Sequence, residues 1–474
     1  MELGNRRLKH WPQTIICGGL SALLFYFSTG LGEIWLFAWF APLPLLWLAY
    51  SQIPLWRVAV AVFIAFALGN VGFIIPFAGM RAATIGVAMA IISLSAAAAV
   101  ATTFARFVQR RAGWLPALIA FPALWTAIEY VSSLVSPNGT VGSLAYTQVG
   151  VPVLIQSASL VGIWGITFLL CLVANGGALA LQSRGKAWPI LAVVVAVFGL
   201  NLLFGIVRLQ QDAGSTALVA VAAKDQEEQR FESTEETWLA ITTAYADGIN
   251  SLSATNPGTT TVVLPEKLAT LDPAWRDAVL APIARAATDN NVRIVAGFID
   301  DAEPAQNIAV TFAPDGTSET YAKRRLLGAE QDLAPGTQPG LLADGTAVTI
   351  CKDMDFPSLI RDDLAGQSVG MMFVPAEDFF VDRWSHSRVA VMRGVEGDYS
   401  VARAARKGDI QVSDNRGRVL TSAASSTDFT ARVAVAPVGT GRTLYLIVGD
   451  LFAWLCLGAV LVLATTTFRL PRAA

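Results

Sequence analysis

The sequence predicts a polytopic α-helical membrane protein of about eight transmembrane helices, with an α/β domain inserted before the last of them. Three observations carry this. Hydrophobic residues fill 54% of the 474 positions against 15% charged, with a mean hydropathy of +0.52, more apolar surface than one water-soluble core can bury. Apolar stretches of about 20 residues, the length that spans a bilayer's hydrocarbon, recur seven times before residue 209 and once near the end. Charge is also segregated. Residues 209–443 hold 32 of the 36 acidic and 21 of the 34 basic residues, a net −11, whereas the flanks carry the remaining 13 basic and 4 acidic residues, a net +9. The expected domains are therefore 1–208, 209–443 and a final helix with a short tail, 444–474.

The apolar stretches run over 12–30, 35–52, 56–79, 83–108, 114–135, 153–182, 188–208 and 444–468. No small-residue cleavage site follows the first, so it reads as a retained span and not a signal peptide. Lys and Arg then set the orientation. With the N-terminus inside, Arg6, Arg7, Lys9, Arg57, Arg106, Arg110, Arg111, Arg184, Lys186, Arg469 and Arg472 lie at cytoplasmic ends, and only Arg81, Arg208 and Arg442 at outer ones. Seven preceding spans put 209–443 on the outer face. Glu129, a carboxylate inside an apolar stretch, is expected either at the outer helix end or facing substrate. Trp35, Trp39, Trp47, Trp114, Trp125 and Trp188 read as anchors at the membrane interface.

The polar middle alternates β-rich runs with helical ones. Ala217–Ala222 is followed by an amphipathic stretch, 226–254, and then by Thr261–Leu264; a helix over 273–289 precedes Val292–Phe298 and Ile308–Phe312, and the turn Pro314-Asp315-Gly316 leads to Tyr321. Further strands are expected at 348–351, 370–375, 401–405 and 409–413. Strand–helix–strand order over some 230 residues argues one layered α/β domain. Its acidity excludes a nucleic-acid partner, while the basic flanks suit anionic lipid headgroups.

Three strand ends carry chemistry: Glu266 after Val262-Val263-Leu264-Pro265, Lys323 after Tyr321-Ala322, and Cys351 after Val348-Thr349-Ile350. A carboxylate could take the thiol proton, the sulfur could attack an acyl carbonyl, and an ammonium could face the oxyanion. Cys351 is the lone cysteine of 209–443, so no disulfide forms within that domain. The chain has only two histidines, His10 and His386, which leaves no zinc cage to assemble; His386 reads as a loop residue. Neither a metal nor a cofactor is expected.

Glu, Lys and Cys in this order resemble the triad of the nitrilase (carbon–nitrogen hydrolase) superfamily, which implies an α-β-β-α sandwich. With the flanking helices, the chain looks like the apolipoprotein N-acyltransferases. The matching residues include Ala38–Leu46, Pro122-Ala123-Leu124-Trp125 with Glu129, Ser143–Gln148, Ser159–Gly165, Asn307 ahead of Pro314-Asp315-Gly316, and Gly449-Asp450. The resemblance implies Glu266 as general base, Cys351 as nucleophile, Lys323 as oxyanion partner and Glu330 as a supporting glutamate. It implies transfer of a fatty acyl chain from a phospholipid, through a thioester, to the N-terminal amine of an S-diacylglyceryl-cysteine lipoprotein. A monomer in the bacterial inner membrane, with its catalytic domain outside, is the expected setting. Lys352-Asp353, Glu377-Asp378-Phe379-Phe380 and Ala405-Arg406-Lys407-Gly408 depart from the family's usual residues. They keep open a membrane-tethered amidase, a different amine acceptor, a weakly active paralogue, or a scaffold whose triad is a relic.

Overall fold

The computed structural model describes residues 11–469 except 79–80, 184, 212–213, 226–233 and 382. Arg6, Arg7, Lys9, His10, Arg184, Arg472 and the first part of the 226–254 run lie outside the described residues. The chain divides into two compact units, Met1–Leu209 with Val448–Ala474, and Gln210–Ile447.

The first unit is helical. Its described helices include α1 (Trp11–Ser28), α2 (Trp35–Ala38), α3 (Leu43–Tyr50), α4 (Leu55–Gly69), α5 (Arg81–Ala112), α6 (Trp114–Val135), α7 (Ala158–Gln182) and α8 (Ala187–Leu209). Among the described residues, six helices are long and apolar enough to cross a membrane: Leu55–Phe77, Ala83–Ala112, Trp114–Val135, Ala158–Gln182, Ala187–Leu209 and Leu451–Arg469. That is fewer than the eight stretches. The 35–52 stretch breaks between α2 and α3, where Pro42 and Pro44 remove backbone donors, leaving pieces too short to span. The first stretch forms α1, 18 residues long with Pro12, Gln13 and Thr14 in its first turn.

Polar groups inside this unit are paired, as an apolar surround demands. Glu129 is buried on α6 and accepts from Trp125 Nε1 (2.9 Å), Ser143 Oγ (2.6 Å), Thr167 Oγ1 (2.8 Å) and the Leu144 amide (3.2 Å). It fastens α6 to α7 and to the 3-10 segment Leu144–Gln148. Trp39 and Trp125 are core residues and not anchors, since both are buried and Trp39 Nε1 donates to Gln148 Oε1 at 2.7 Å. Trp188, by contrast, is exposed.

The second unit holds two sheets. Strands β1 (Thr216–Ala223), β2 (Thr261–Val263), β3 (Thr270–Leu271), β4 (Arg293–Asp300), β5 (Gln306–Phe312), β6 (Ser318–Ala322) and β12 (Thr430–Pro437) form one, in the order β12-β1-β2-β4-β5-β6 with β3 beside β4. Strands β7 (Thr346–Val348), β8 (Met371–Glu377), β9 (Ser400–Arg406), β10 (Asp409–Ser413) and β11 (Val419–Ala424) form the other, in the order β11-β10-β9-β8-β7. β1, β2 and β4 run parallel, as do β7, β8 and β9.

Alternation along each strand decides which layer its side chains enter. Val219, Val221, Val263 and Val295 of the first sheet meet Val348, Phe373, Ala402, Ala404, Ile410 and Val412 of the second in one buried core. The opposite faces of the same strands, Ala220, Val262, Ile294 and Val310, pack on Trp238, Ile241 and Tyr245 of α9 (Glu235–Thr255) and on Val279 and Ile283 of α10 (Arg276–Asp289). Helix α12 (Arg383–Gly397) lies on β9 and β10, and α11 (Pro357–Leu364) precedes β8, so the layers read α-β-β-α. His386 is thus helical and not in a loop. A last helix, α13 (Leu451–Arg469), returns to the first unit, where Trp164 Nε1 donates to Asp450 Oδ1 at 2.7 Å.

Candidate active site

The residues after β2, β6, β7 and β8 converge where the two sheets meet. Beyond β2 the chain turns away from its strand. The Glu266 amide donates to Ala376 O of β8 at 3.2 Å, stitching one sheet to the other. Beneath it β4 offers Gly297, where an added Cβ would come within 2.5 Å of Glu266 Cα. Only a residue without a side chain lets this backbone pass.

Lys323 follows β6 and is fully buried. Its Nζ donates to Glu266 Oε1 at 2.8 Å and to Glu330 Oε1 and Oε2 at 3.2 and 3.0 Å. Asn307 Nδ2, from β5, donates to the same two carboxylates at 2.6 and 2.9 Å. Lys267 Nζ stands 2.5 Å from Glu330 Oε1 and 3.9 Å from Glu266 Oε1. Two buried carboxylates are thereby matched by two ammonium groups. Without that match, burying even one charge would cost several kcal/mol.

Cys351 opens a 3-10 turn, Cys351–Asp355, three residues past the end of β7, with φ at +40°. A non-glycine residue in this left-handed region is strained by roughly 1–3 kcal/mol and persists only where its surroundings hold it. Asp353 does the holding. Its buried carboxylate accepts from the Ile350 amide (3.3 Å), the Tyr321 hydroxyl (2.8 Å) and the Arg324 and Arg325 amides (3.2 and 2.7 Å). The turn that presents the thiol is thus tied to the residues on both sides of Lys323. Cys351 Sγ donates to Glu377 O at the end of β8, 3.6 Å away.

Electrostatics separate the roles. Burial pushes the Cys351 thiol above its ordinary range and the Glu266 carboxylate raises it further; Lys323 and Arg403 offset only part of this. The resting sulfur is therefore a thiol. Burial alone would raise Glu266, but the Lys323 and Lys267 ammonium groups outweigh it and hold the carboxyl below its ordinary range. The same contest leaves Glu330 at about 2. For Lys323 the Glu266 carboxylate, with Glu330 behind it, overcomes burial and raises the ammonium, so it stays protonated. A carboxylate, a fixed cation and a thiol thus lie within one another's field, an arrangement that can support covalent acyl transfer.

All four residues singled out in the sequence, Glu266, Lys323, Cys351 and Glu330, come together here. Lys352 does not point to solvent: it is buried, with Nζ 3.9 Å from Asp355 Oδ2. Asp378 pairs in bidentate fashion with buried Arg403, at 2.8 and 2.5 Å. Lys267 is not singled out by the sequence, while Asn307 and Asp353 appear there only as a family match and a departure from it, without these partners. Lys267 adjoins Glu266 and Asp353 lies two residues past Cys351, and that proximity in sequence is the available signal. Among the described residues no group of His, Cys, Asp and Glu is placed to hold a metal.

Residues 21–176 match the model of a family described as the apolipoprotein N-acyltransferase N-terminal domain. A Geobacter metallireducens protein named apolipoprotein N-acyltransferase is 24% identical over 394 residues, covering 74% of each chain. A Vibrio vulnificus protein of the same name is 25% identical over 508 residues, covering 96% of this chain and 97% of its own. Among solved structures, an amidase from Nesterenkonia sp. is 19% identical, covering 48% of this chain and 93% of its own with a TM-score of 0.39.

Proposed function

We propose that this chain, similar along nearly its whole length to apolipoprotein N-acyltransferases, is an N-acyltransferase that completes lipoprotein maturation. It moves a fatty acyl group from a membrane phospholipid to the free α-amine of an S-diacylglyceryl cysteine. The observation that carries this reading is the lone thiol of the α/β unit, held in a left-handed turn within the field of Glu266 and Lys323.

In the first half-reaction Glu266 takes the Sγ proton as the sulfur attacks the ester carbonyl. The oxyanion forms against the Lys323 ammonium. Collapse expels the glycerol oxygen, which recovers the proton from Glu266, and a lysophospholipid leaves. In the second half-reaction the amine attacks the thioester, gives its proton to Glu266, and the Cys351 sulfur departs and is reprotonated. Because the thiol is raised and the carboxyl lowered, proton transfer accompanies carbonyl attack and does not precede it. Glu330, with Asn307 and Lys267, keeps Lys323 and Glu266 aligned.

The helical unit anchors the chain in a bacterial cytoplasmic membrane, and eleven inner-end Lys and Arg against three outer ones support an outer location for the α/β unit. Acid, base and nucleophile come from one chain, which suits a monomer. Intact-mass analysis of the purified protein with phospholipid tests the reading. One added fatty acyl group on the wild type, absent from Cys351→Ala and Cys351→Ser, is expected. A wild type that gains no mass, or an alanine variant that does, overturns it.

A further inference from the structure

Lys323 has more to hold than it has donors. An ammonium carries three N–H groups. In the resting site they meet three carboxylate oxygens, Glu266 Oε1 at 2.8 Å, Glu330 Oε2 at 3.0 Å and Glu330 Oε1 at 3.2 Å. An oxyanion forming at Cys351 needs one of them turned toward it. The longest bond, to Glu330 Oε1, is the one that can loosen, because that oxygen also receives Lys267 Nζ at 2.5 Å and Asn307 Nδ2 at 2.9 Å. Glu330 Oε2 keeps the Leu327 amide at 2.8 Å.

Lys267 is fixed for this from both ends. It follows Glu266 directly and lies in the left-handed region at φ +57°, which a non-glycine residue occupies only where its surroundings hold it. Its carbonyl accepts from Nη1 of buried Arg406 at 3.2 Å. Its Nζ reaches Glu330 and stands 3.9 Å from Glu266 Oε1 and 3.7 Å from Glu377 Oε2. Burial lowers this ammonium, but the Glu266 and Glu330 carboxylates outweigh it and hold it above its ordinary value, so a cation stays at Glu330.

We propose that Lys267 is a positioning residue for the oxyanion step, holding Glu330 Oε1 so that Lys323 can turn one N–H from that oxygen to the oxyanion. This rests on the acyltransferase reading and goes beyond alignment of the resting site. Without Lys267, the same movement would leave a buried carboxylate oxygen with the neutral Asn307 amide alone, and the ammonium would stay where it is.

The full-length protein in detergent tests this through Lys267→Met, Lys267→Arg and Lys267→Gly. Lys267→Met should slow both thioester formation from phosphatidylglycerol and aminolysis of the isolated thioester at least about tenfold, the worth of one charge-assisted bond, at unchanged phospholipid affinity. Lys267→Arg should recover most of the loss. Lys267→Gly relieves the left-handed backbone and so should melt no lower than Lys267→Met, yet react as slowly. A wild-type rate for either half-reaction in Lys267→Met, an arginine variant no faster than the methionine one, or rates that follow the melting temperatures overturns the proposal. A probe without donor or acceptor separates it from the acyltransferase reading. Dodecanal adds reversibly to the Cys351 thiol as a thiohemiacetal, with Cys351→Ala as the blank, and Lys267→Met should weaken that adduct about tenfold by the same lost bond. Equal affinity for the aldehyde in wild type and Lys267→Met also overturns the proposal, whereas a wild type that forms no thioester with phospholipid while the aldehyde difference stands overturns only the acyltransferase reading.

Discussion

In the proposed mechanism Asp353 sets the position of Cys351 without touching the reacting atoms, and its charge state makes that role measurable. Burial pushes its pKa up to about 6, even though the Tyr321 hydroxyl, the Lys323 charge and the backbone amides pull it down. Only the ionised carboxylate can accept all four bonds. As pH falls through about 6 it takes a proton and frees the turn, whereas Glu266, held below the ordinary carboxylate range, is still ionised there. Thioester formation should therefore show an acid limb near pH 6. In Asp353→Asn the rate should drop on the order of tenfold, as expected for misplacement, and the limb should vanish; single-turnover rates between about pH 4.5 and 8 check it, and an unchanged limb would show that Asp353 does not control the turn. Lys323→Met is expected to slow both half-reactions by roughly 10²–10³, since each passes through an oxyanion. Normal aminolysis of a preformed Cys351 thioester in that variant would remove Lys323 from the chemistry. At this scale the sequence was most legible where strand ends bear a lone reactive type, as at Glu266, Lys323 and Cys351. It was opaque at Asn307 and Asp353, whose roles exist only once β5, β6 and the Cys351 turn come side by side.

Strands with β-branched runs were readable, and the ones that failed to announce themselves have identifiable reasons. β11 and β12 are half-exposed and carry small and polar residues, so they lack a clean alternation. Helix α12 begins Arg383-Trp384-Ser385-His386-Ser387, a composition that reads as loop, and is helical because Val389, Val391, Met392 and Val395 find cover in the sandwich. The hydropathy of 35–52 hid its prolines, which cut it into α2 and α3. β4 offers the sharpest test of how an element shapes the site. Gly297 exchanges backbone bonds with Pro265 O and the Leu268 amide, at 2.9 and 2.8 Å, and so sets the bend that aims Glu266. Gly297→Ala places a methyl group against backbone and not against a movable side chain. We expect a loss of about 1–3 kcal/mol in stability with a larger proportional loss of thioester formation. A melting curve and an acylation rate both equal to wild type would show that the bend does not depend on glycine.

At the scale of the whole chain, charge segregation was the clearest signal, because the acidic residues of one unit and the basic ends of the helices obey different solvents. The proposed outer location has a direct check. Ala254 is exposed near the end of α9, and Ala254→Cys should react with an impermeant maleimide on intact spheroplasts. Labelling that appears only after lysis would invert the topology. In the same experiment Cys351 should stay largely unlabelled, because maleimides attack thiolates and this sulfur rests protonated. In the proposed outer location that has a consequence for survival in an oxidising compartment. Peroxide climbs the ladder to sulfenic and sulfinic acid from the thiolate, and disulfide exchange starts from it as well. The α/β unit holds no second cysteine to trap an oxidised sulfur as a disulfide. On the proposed mechanism, by keeping the unit's only thiol uncharged until a carbonyl arrives, the fold spares Cys351 from oxidants between turnovers, at the cost of depending on Glu266 to make it reactive.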